Sequence, residues 1–327
     1  MSDAALASGS MSEATGAPAA AREPGPIRQA WSRFAKDPWA VAGLAFMAAL
    51  IFSAMFAPWI TAHVLRHSAF RLGIMDHARV GGVDVEVVSR LGLPIGPCAA
   101  FPLGADLLGR DVLSRMLYGA RVSLLVSGLG TALALVVGMI AGLVAGFYRG
   151  VADLLVSRFV DAMMAIPVLL LAIALASVLR GSTLWMMVLI LALVNWTYLA
   201  RIIRGEVLSL RERDFVEAAR ALGASDVSVL WRHLVPNLLG PVIVFATLSL
   251  AGNILLESAL SYLGVGIQPP TPSWGNMIQE GVPLYNVAWW ITLFPGLALL
   301  LTVLSLNLVG DGLRRAVAPG TEGGHVG

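Results

Sequence analysis

Lysine and cysteine are almost absent from this chain of 327 residues. Cys98 is the single cysteine, so the chain cannot build an intrachain disulfide framework or a multi-cysteine metal site. Lys36 is the only lysine, and it lies in the stretch RFAKDPWA without an array of glycines before it. A phosphate-binding P-loop needs a lysine directly after its glycine-rich turn. The chain therefore has no P-loop of its own, and any energy from a nucleotide must come from a partner protein.

Recognisable catalytic and metal-binding patterns are also missing. The sequence contains neither a nucleophile elbow nor the H-E-x-x-H pattern of metalloproteases. His63 and His67 are four residues apart, which suits two ligands on one helical face, and His77 is nearby, but no third ligand follows at a recognisable spacing. We therefore expect no catalytic residue, no metal site and no cofactor.

Charged residues make up only 13% of the chain, against about a quarter in soluble domains. Hydrophobic residues make up 57%, and several runs of roughly 20 apolar residues are long enough to cross a bilayer as helices. The formal net charge of +2 gives no reason to propose a nucleic-acid partner. We predict an all-α polytopic membrane protein with six transmembrane helices, at residues 39–60, 122–147, 159–179, 184–203, 238–256 and 288–309.

Composition divides the chain around these spans. Residues 1–30 are rich in Ala, Ser, Gly and Pro without a periodic apolar face, and we predict a disordered tail. Residues 31–62 carry the first span, which we expect to be an uncleaved anchor because no signal-peptide pattern precedes it. Residues 63–119 are a polar segment with one alternating stretch, VDVEVV, that predicts a strand. Residues 120–312 carry the other five helices, and 313–327 form a C-terminal tail.

The placement of arginine predicts the orientation of the spans. Arginines precede the first span, crowd the loop after the fourth and follow the sixth. The loop after the fifth span has neither Lys nor Arg between Leu256 and Ala288. Cytoplasmic loops carry an excess of basic residues, although long loops cross the membrane largely regardless of charge. We therefore expect both termini and the loop after the fourth span in the cytoplasm, and segment 63–119 outside it.

The second predicted span carries a stripe of small residues at intervals of four. This spacing places them on one helix face, where a second backbone can approach closely. The stripe predicts a helix-packing interface, either inside this chain or at a subunit or moving boundary, and the sequence leaves both alternatives open. Its members are Gly130, Ala134, Gly138, Gly142 and Gly146.

Ionisable residues are nearly absent from the middle of the predicted spans. A carrier driven by protons or sodium commonly places carboxylates or histidines near the membrane midplane. The notable polar groups are instead Asn195, Asn253 and Asn307, which we expect to form hydrogen bonds between helices. This pattern disfavours a stand-alone ion-coupled carrier, which remains the alternative from a different functional class.

A polar segment at residues 212–236 separates the fourth and fifth spans. Asp214 is a suitable N-cap, with Glu217 three residues later in the position of a capping box. Gly223 suits the left-handed residue that ends a helix. Ser225 can cap a second short helix, and Pro236 suits the first turn of the fifth span. The segment predicts a helix, a glycine bend and a second helix at the cytoplasmic membrane surface.

The two short helices differ in their side chains. Ala218 and Ala219 give the first a slim profile that fits a cleft. The second carries an amphipathic face. Taken alone, these features equally suit a simple connector at the membrane surface. The residues of the predicted amphipathic face are Val227, Leu230, Trp231 and Leu234.

The order Glu217-Ala218-Ala219, then Gly223, then a leucine-valine-proline ending at Pro236 resembles the EAA loop of bacterial ABC importer permeases. Residues 102–128, 261–278 and 294–314 are similar to the C-type permeases of the dipeptide, oligopeptide and nickel transporters within that family. The resemblance extends from about residue 31 to about residue 315. We call residues 212–236 the coupling segment, after its role in that family.

The resemblance implies the fold of a type I ABC importer permease in the bacterial cytoplasmic (inner) membrane. It implies a chain that is not an enzyme and that works with a second, B-type permease, two ABC ATPase subunits and an extracytoplasmic solute-binding protein. In that family the coupling segment docks on the ATPase. The residues expected to make or shape this contact are Asp214, Glu217, Ala218, Ala219, Gly223 and Pro236. The expected cargo is a short peptide, with nickel or glutathione-like conjugates as alternatives.

A proline-rich loop, GIQPPTPSWG, follows the fifth span on the predicted outer side. It suits a rigid turn that forms part of an outer gate or contacts the binding protein. Passive packing of its tryptophan is an equal alternative. The residues concerned are Pro269, Pro270, Pro272, Trp274 and Gly275.

Overall fold

The structure is a computed structural model that describes residues 26–179 and 184–317. Within these residues it is mostly helical. The helices are α1 (Pro26–Phe34), α2 (Pro38–Met55), α3 (Ala57–Trp59), α4 (Val112–Tyr148), α5 (Gly150–Met164), α6 (Val168–Leu179), α7 (Leu184–Leu210), α8 (Asp214–Ala221), α9 (Asp226–Val229), α10 (Val235–Tyr262), α11 (Trp274–Gly281) and α12 (Trp290–Val317). Short π-helical segments at Ile60–Leu65 and Leu230–Leu234 and a 3-10 turn at Val282–Leu284 complete the helical structure.

Five helical stretches of the described chain are long and apolar enough to cross a membrane. They are α2, α4, α7, the run from α9 through α10, and α12. A sixth crossing requires α5 and α6 together, and these two helices meet at an angle of 93°. The prediction of one continuous helix at residues 159–179 is therefore wrong. The chain bends there because Pro167 has no backbone N–H and disfavours helical geometry at the residue before it.

Several predicted boundaries shift. Helix α4 begins at Val112, ten residues before the predicted span, because Asp111 caps it by accepting a hydrogen bond from the Ser114 N–H at 2.7 Å. The end of segment 63–119 is therefore helical. Helix α1 begins at Pro26, inside the predicted disordered tail, and residues 1–25 lie outside the described residues. Helix α12 continues to Val317, beyond the predicted end of the membrane domain, and residues 318–327 lie outside the described residues.

The polar segment between α3 and α4 contains a β-hairpin. Strand β1 (His77–Val80) pairs antiparallel with β2 (Val83–Glu86), with His77 opposite Glu86. The strand predicted from VDVEVV is confirmed over Val83–Glu86. A small apolar core that includes Val87, Phe101 and Ala105 holds the hairpin to the loop before α4. The segment is thus a compact cap beside the helical domain.

The small-residue stripe of α4 packs against α7 within this chain. A β-carbon built on Gly138 would lie 2.7 Å from the Trp196 carbonyl oxygen, and one on Gly142 would lie 2.7 Å from the Ala200 carbonyl oxygen. Because these neighbours are backbone atoms, a side chain at either glycine would force the helices apart. Gly130, Ala134 and Gly146 are buried along the same line. The close contact makes α4 and α7 one rigid unit beneath the coupling segment.

Candidate functional site

The first helix of the coupling segment, α8, begins at Asp214 and ends at Ala221. The residue in the N-cap position is Arg213, and no side chain caps the helix. The predicted Asp214 capping box is therefore wrong. Asp214 is instead the first helical residue, and both Asp214 and Glu217 lie in the first turn, where the helix dipole favours negative charge. Their carboxylates are exposed rather than occupied in capping.

The bend after α8 forms as predicted. Gly223 adopts φ +82°, the left-handed conformation that L side chains rarely take. Its N–H donates to the Arg220 carbonyl at 2.9 Å, and the Ala224 N–H donates to the Ala219 carbonyl at 3.0 Å. This pair of hydrogen bonds is a Schellman motif. It fixes the direction in which the chain leaves α8.

The second helix begins with a Ser225 cap, as predicted, because the Ser225 hydroxyl accepts a hydrogen bond from the Ser228 N–H. The predicted amphipathic face is only partly correct. Leu234 is fully buried, whereas Val227 and Trp231 are exposed, with Trp231 at 67%. The helix widens into a π-helical segment at Leu230, so the buried residues are five apart, Val229 and Leu234, rather than three or four. Pro236 then lies in the first turn of α10, as predicted.

Helix α8 has one buried face and one free face. Val216 is fully buried and Ala219 is only 9% exposed, so both point into this chain. Asp214, Glu217 and Ala218 are exposed on the other side. Among the described residues, neither carboxylate of this free face makes a hydrogen bond or ion pair. The structure therefore separates two adjacent alanines: Ala218 is available to a partner, whereas Ala219 packs α8 onto its own chain.

Polar contacts tie the coupling segment to the end of α4. The Arg211 guanidinium donates to the carbonyl oxygens of Phe147, at 2.6 Å, and Gly146, at 3.3 Å. Burial lowers the pKa of the Arg211 guanidinium, which still remains charged at neutral pH. The Arg220 guanidinium lies 5.4 Å from the centre of the Phe147 ring, a cation–π distance. These contacts fasten the residue just before the coupling segment, and the last turn of α8, to the last turn of α4.

An apolar cluster lies beneath the coupling segment and joins it to the spans. Val216 of α8, Val229 of α9 and Leu234 pack with Ile203 and Val207 of α7 in one buried group. Phe147 of α4 and Leu238 of α10 belong to the same group. Because this interior is close-packed, a displacement of α8 must move these helices together or break the cluster. The coupling segment therefore shares one packed interior with three membrane-spanning helices, α4, α7 and α10.

The proline-rich outer loop is divided between exposed and buried residues. Pro269 and Pro270 are exposed, whereas Pro272, Trp274 and Gly275 are buried. The Trp274 indole N–H donates to the Met116 carbonyl at 3.3 Å. A β-carbon on Gly275 would lie 2.2 Å from the Ser258 carbonyl oxygen, so only glycine fits there. Trp274 and Gly275 hold α11 against α4 and α10, and only the first two prolines face outward.

A buried ion network at the N-terminal end of α4 was missed by sequence reasoning. Arg110 Nε donates to Asp106 Oδ2 at 2.6 Å, and Arg115 Nη1 donates to the same oxygen at 2.5 Å. Arg115 also donates to both carboxylate oxygens of Glu280 in α11, at 2.6 and 3.0 Å. Asp106, Arg110 and Arg115 are buried, and Glu280 is a quarter exposed. The network joins the loop before α4, α4 itself and α11.

Buried hydrogen bonds also link the spans to one another. Asn195 Nδ2 donates to Asn253 Oδ1 at 2.6 Å, and Asn253 Nδ2 donates to the Thr131 hydroxyl at 2.7 Å. The predicted interhelical role of Asn195 and Asn253 is confirmed. Glu257, fully buried near the C-terminal end of α10, accepts hydrogen bonds from the hydroxyls of Ser123, at 2.7 Å, and Ser261, at 2.8 Å. These bonds give the buried polar groups the hydrogen-bond partners that lipid tails cannot supply.

Two family models match the chain. The model described as a binding-protein-dependent transport system inner membrane component matches residues 134–323, more than half of the chain. The model described as the N-terminal TM domain of oligopeptide transport permease C matches residues 25–70. The first match contains the whole coupling segment, and the second contains α1, α2 and α3.

Curated relatives are similar over nearly the full chain. The di/tripeptide transport system permease protein DppC of Pseudomonas aeruginosa is 38% identical over 296 residues, which cover 90% of this chain and 93% of that protein. The glutathione transport system permease protein GsiD of Escherichia coli is 37% identical over 298 residues, which cover 91% of this chain and 92% of that protein. A chain in an inward-facing structure of the MetNI methionine ABC transporter has the same fold, with a TM-score of 0.53 and a sequence identity of 20%. The match covers 63% of this chain and 98% of that one.

Proposed function

Because the chain belongs to the family of binding-protein-dependent transport system inner membrane components, we propose that it is the C-type permease subunit of an ABC importer that takes up short peptides. The chain is a multi-pass inner-membrane permease subunit and not an enzyme. The proposed coupling to an ATPase is supported by the exposed face of α8, formed by Asp214, Glu217 and Ala218. The opposite face of α8 packs on an apolar cluster shared by α4, α7 and α10.

The proposed mechanism is mechanical. Two ABC ATPase subunits bind the cytoplasmic side, and one of them contacts Glu217 and Ala218. Closure of the ATPase pair on ATP displaces α8, and the apolar cluster together with Arg211 passes that displacement to the spans. A B-type permease completes the passage, and an extracytoplasmic solute-binding protein delivers the cargo. Both termini and the coupling segment then face the cytoplasm, as the arginine distribution favours.

The cargo proposal depends on the relatives. The Pseudomonas aeruginosa protein is named for di- and tripeptides and the Escherichia coli protein for glutathione. Glutathione is itself a tripeptide, so both names favour a short peptide with charged ends. Nickel import is the second candidate within the family. Membership in the family disfavours the alternative of a stand-alone ion-coupled carrier.

Uptake measurements test this proposal. Cells that lack the chain should lose ATP-dependent uptake of a radiolabelled dipeptide, and the full-length chain supplied in trans should restore it. Parallel measurements with labelled glutathione and nickel assign the cargo. Loss of nickel uptake alone would overturn the peptide proposal. Uptake that continues after ATP is depleted, while a proton gradient is maintained, would overturn the ABC mechanism itself.

A further inference from the structure

Charged side chains of α5 and of the C-terminal half of α7 face an open cavity of about 600 Å³. The residues that line it include Leu154, Arg158, Asp161, Arg201 and Arg204. The side chains of Arg158, Asp161 and Arg201 are half exposed or more. Arg201 lies in α7, which is long enough to span a membrane, whereas Arg158 and Asp161 lie in α5, which can do so only together with α6. Lipid tails cannot solvate these groups, so the cavity must be filled by water, by lipid headgroups or by a partner.

An ion pair between Asp153 and Arg204 holds the wall of the cavity rigidly. Arg204 donates to both carboxylate oxygens of Asp153, at 2.5 and 2.9 Å, and the Ser157 hydroxyl donates to the same carboxylate at 3.0 Å. This clamp joins the start of α5 to α7. Phe159 stacks on Trp196 about two turns further along, with ring centres 5.8 Å apart. The cavity is therefore a preformed feature below the bend between α5 and α6.

Two of the lining groups remain open to a ligand. Arg158 lies 3.9 Å from Asp161, too far for a hydrogen bond, and is 76% exposed. Asp161 accepts one hydrogen bond, from Arg201 at 2.7 Å, and leaves its second oxygen toward Arg158. Three arginines and two aspartates give the wall a net charge of +1. An open cation beside an open carboxylate suits a ligand that carries both charges.

We infer that this cavity is the inner part of the cargo passage, and that Arg158 and Asp161 contact the carboxylate and the ammonium group of a short zwitterionic peptide as it leaves. The inference depends on the proposed function and adds the residues that touch cargo. Asp161 keeps its hydrogen bond to Arg201 and Arg158 stays close to Asp161, so each group offers only part of its charge and the contact is weak, as a passage requires for release. Coverage by a second permease is less favoured, since interface centres are depleted in charged residues.

Adjacent leucines on α5 provide a matched test. Leu154 lines the cavity and Leu155 does not, and both are more than half exposed. We would replace Cys98 by Ser and introduce Leu154→Cys or Leu155→Cys. Inside-out vesicles carrying the assembled transporter would then react with a membrane-impermeant maleimide. We expect Leu154→Cys to react at least ten times faster than Leu155→Cys, and to slow when ATP and vanadate hold the ATPase pair closed.

Charge and cargo supply two further measurements on the same vesicles. An anionic methanethiosulfonate should label Leu154→Cys faster than a cationic one, and adding Arg158→Gln should reduce that ratio several-fold. An excess of dipeptide should slow the labelling, whereas an equal concentration of a neutral sugar should not. Equal rates at both leucine positions would indicate lipid headgroups, and no reaction at Leu154→Cys would indicate a covering partner. Either result overturns the inference, and neither depends on the uptake assay that tests the function.

Discussion

Replacing Ala218 by tryptophan is expected to reduce ATP-driven uptake by about ten-fold or more while the chain still folds and reaches the membrane. Ala218 lies on the free face of α8, and the bulky ring would hold the partner away from Glu217. A ten-fold loss corresponds to about 1.4 kcal/mol of contact energy, which a single misplaced ring at an interface easily exceeds. Uptake of labelled cargo and ATP hydrolysis by the purified complex would be measured together, since uncoupling lowers the ratio of transport to hydrolysis.

The control for this experiment is Ala35→Trp. Ala35 is an exposed alanine near the start of the first span, outside the coupling segment, and the same enlargement there should leave uptake unchanged. Ala219→Trp is unsuitable as a docking test because Ala219 is 9% exposed and a large ring would disturb the apolar cluster. Normal uptake and normal stimulation of hydrolysis in the Ala218→Trp variant would show that the partner does not contact this face.

Replacing Arg115 by leucine is expected to cost about 3–5 kcal/mol of stability, because removal of one member of a buried ion network leaves its partners uncompensated. Asp106 and Glu280 would then share Arg110 alone. Helix α11 would lose its ion-pair contact with α4 and keep only contacts such as the hydrogen bond from Trp274 to Met116. The thermal unfolding midpoint of the purified complex and the amount of chain in the membrane both measure this effect.

An exposed ion pair supplies the comparison for Arg115. Arg71 and Asp76 lie 3.2 Å apart with both side chains largely exposed, and Arg71→Leu should cost about 0–1 kcal/mol. Glu280→Leu provides a second variant, since it leaves the pair of Arg110 and Asp106 intact. If Arg115→Leu shifts the unfolding midpoint no more than Arg71→Leu does, the buried network does not hold the outer side together.

Local signals predicted most of the coupling segment. The bend at Gly223, the Ser225 cap and the position of Pro236 depend on backbone rules that act within a few residues, and all three are confirmed. The all-α polytopic fold of the type I importer permease is also confirmed, because long apolar runs have few alternatives in a bilayer. The predicted N-cap of α8 was wrong because Arg213, rather than Asp214, adopts the extended N-cap conformation.

Features that depend on distant contacts were not predictable. Arg115 and Glu280 are 165 residues apart, and no spacing rule connects them. The difference in burial between Ala218 and Ala219 depends on which side of α8 meets the apolar cluster. The π-helical segment after Val229 changes which residues of the second helix are buried. Pro167 was visible in the sequence, but a proline alone does not set an angle of 93° between two helices. Small-residue spacing in α4 indicated a close contact without identifying α7 as its partner.

Site-directed crosslinking from α8 tests the central claim most directly. In a Cys98→Ser background, Ala218→Cys would be modified with a short photoreactive maleimide and illuminated in membranes that are importing cargo, with Ala35→Cys as the control. We predict an adduct between the Ala218 position and an ATP-binding subunit, with a yield that changes when vanadate traps the closed state, and no such adduct from position 35. Efficient labelling of Ala218→Cys in membranes that import normally, without any adduct to a nucleotide-hydrolysing protein, would contradict the account.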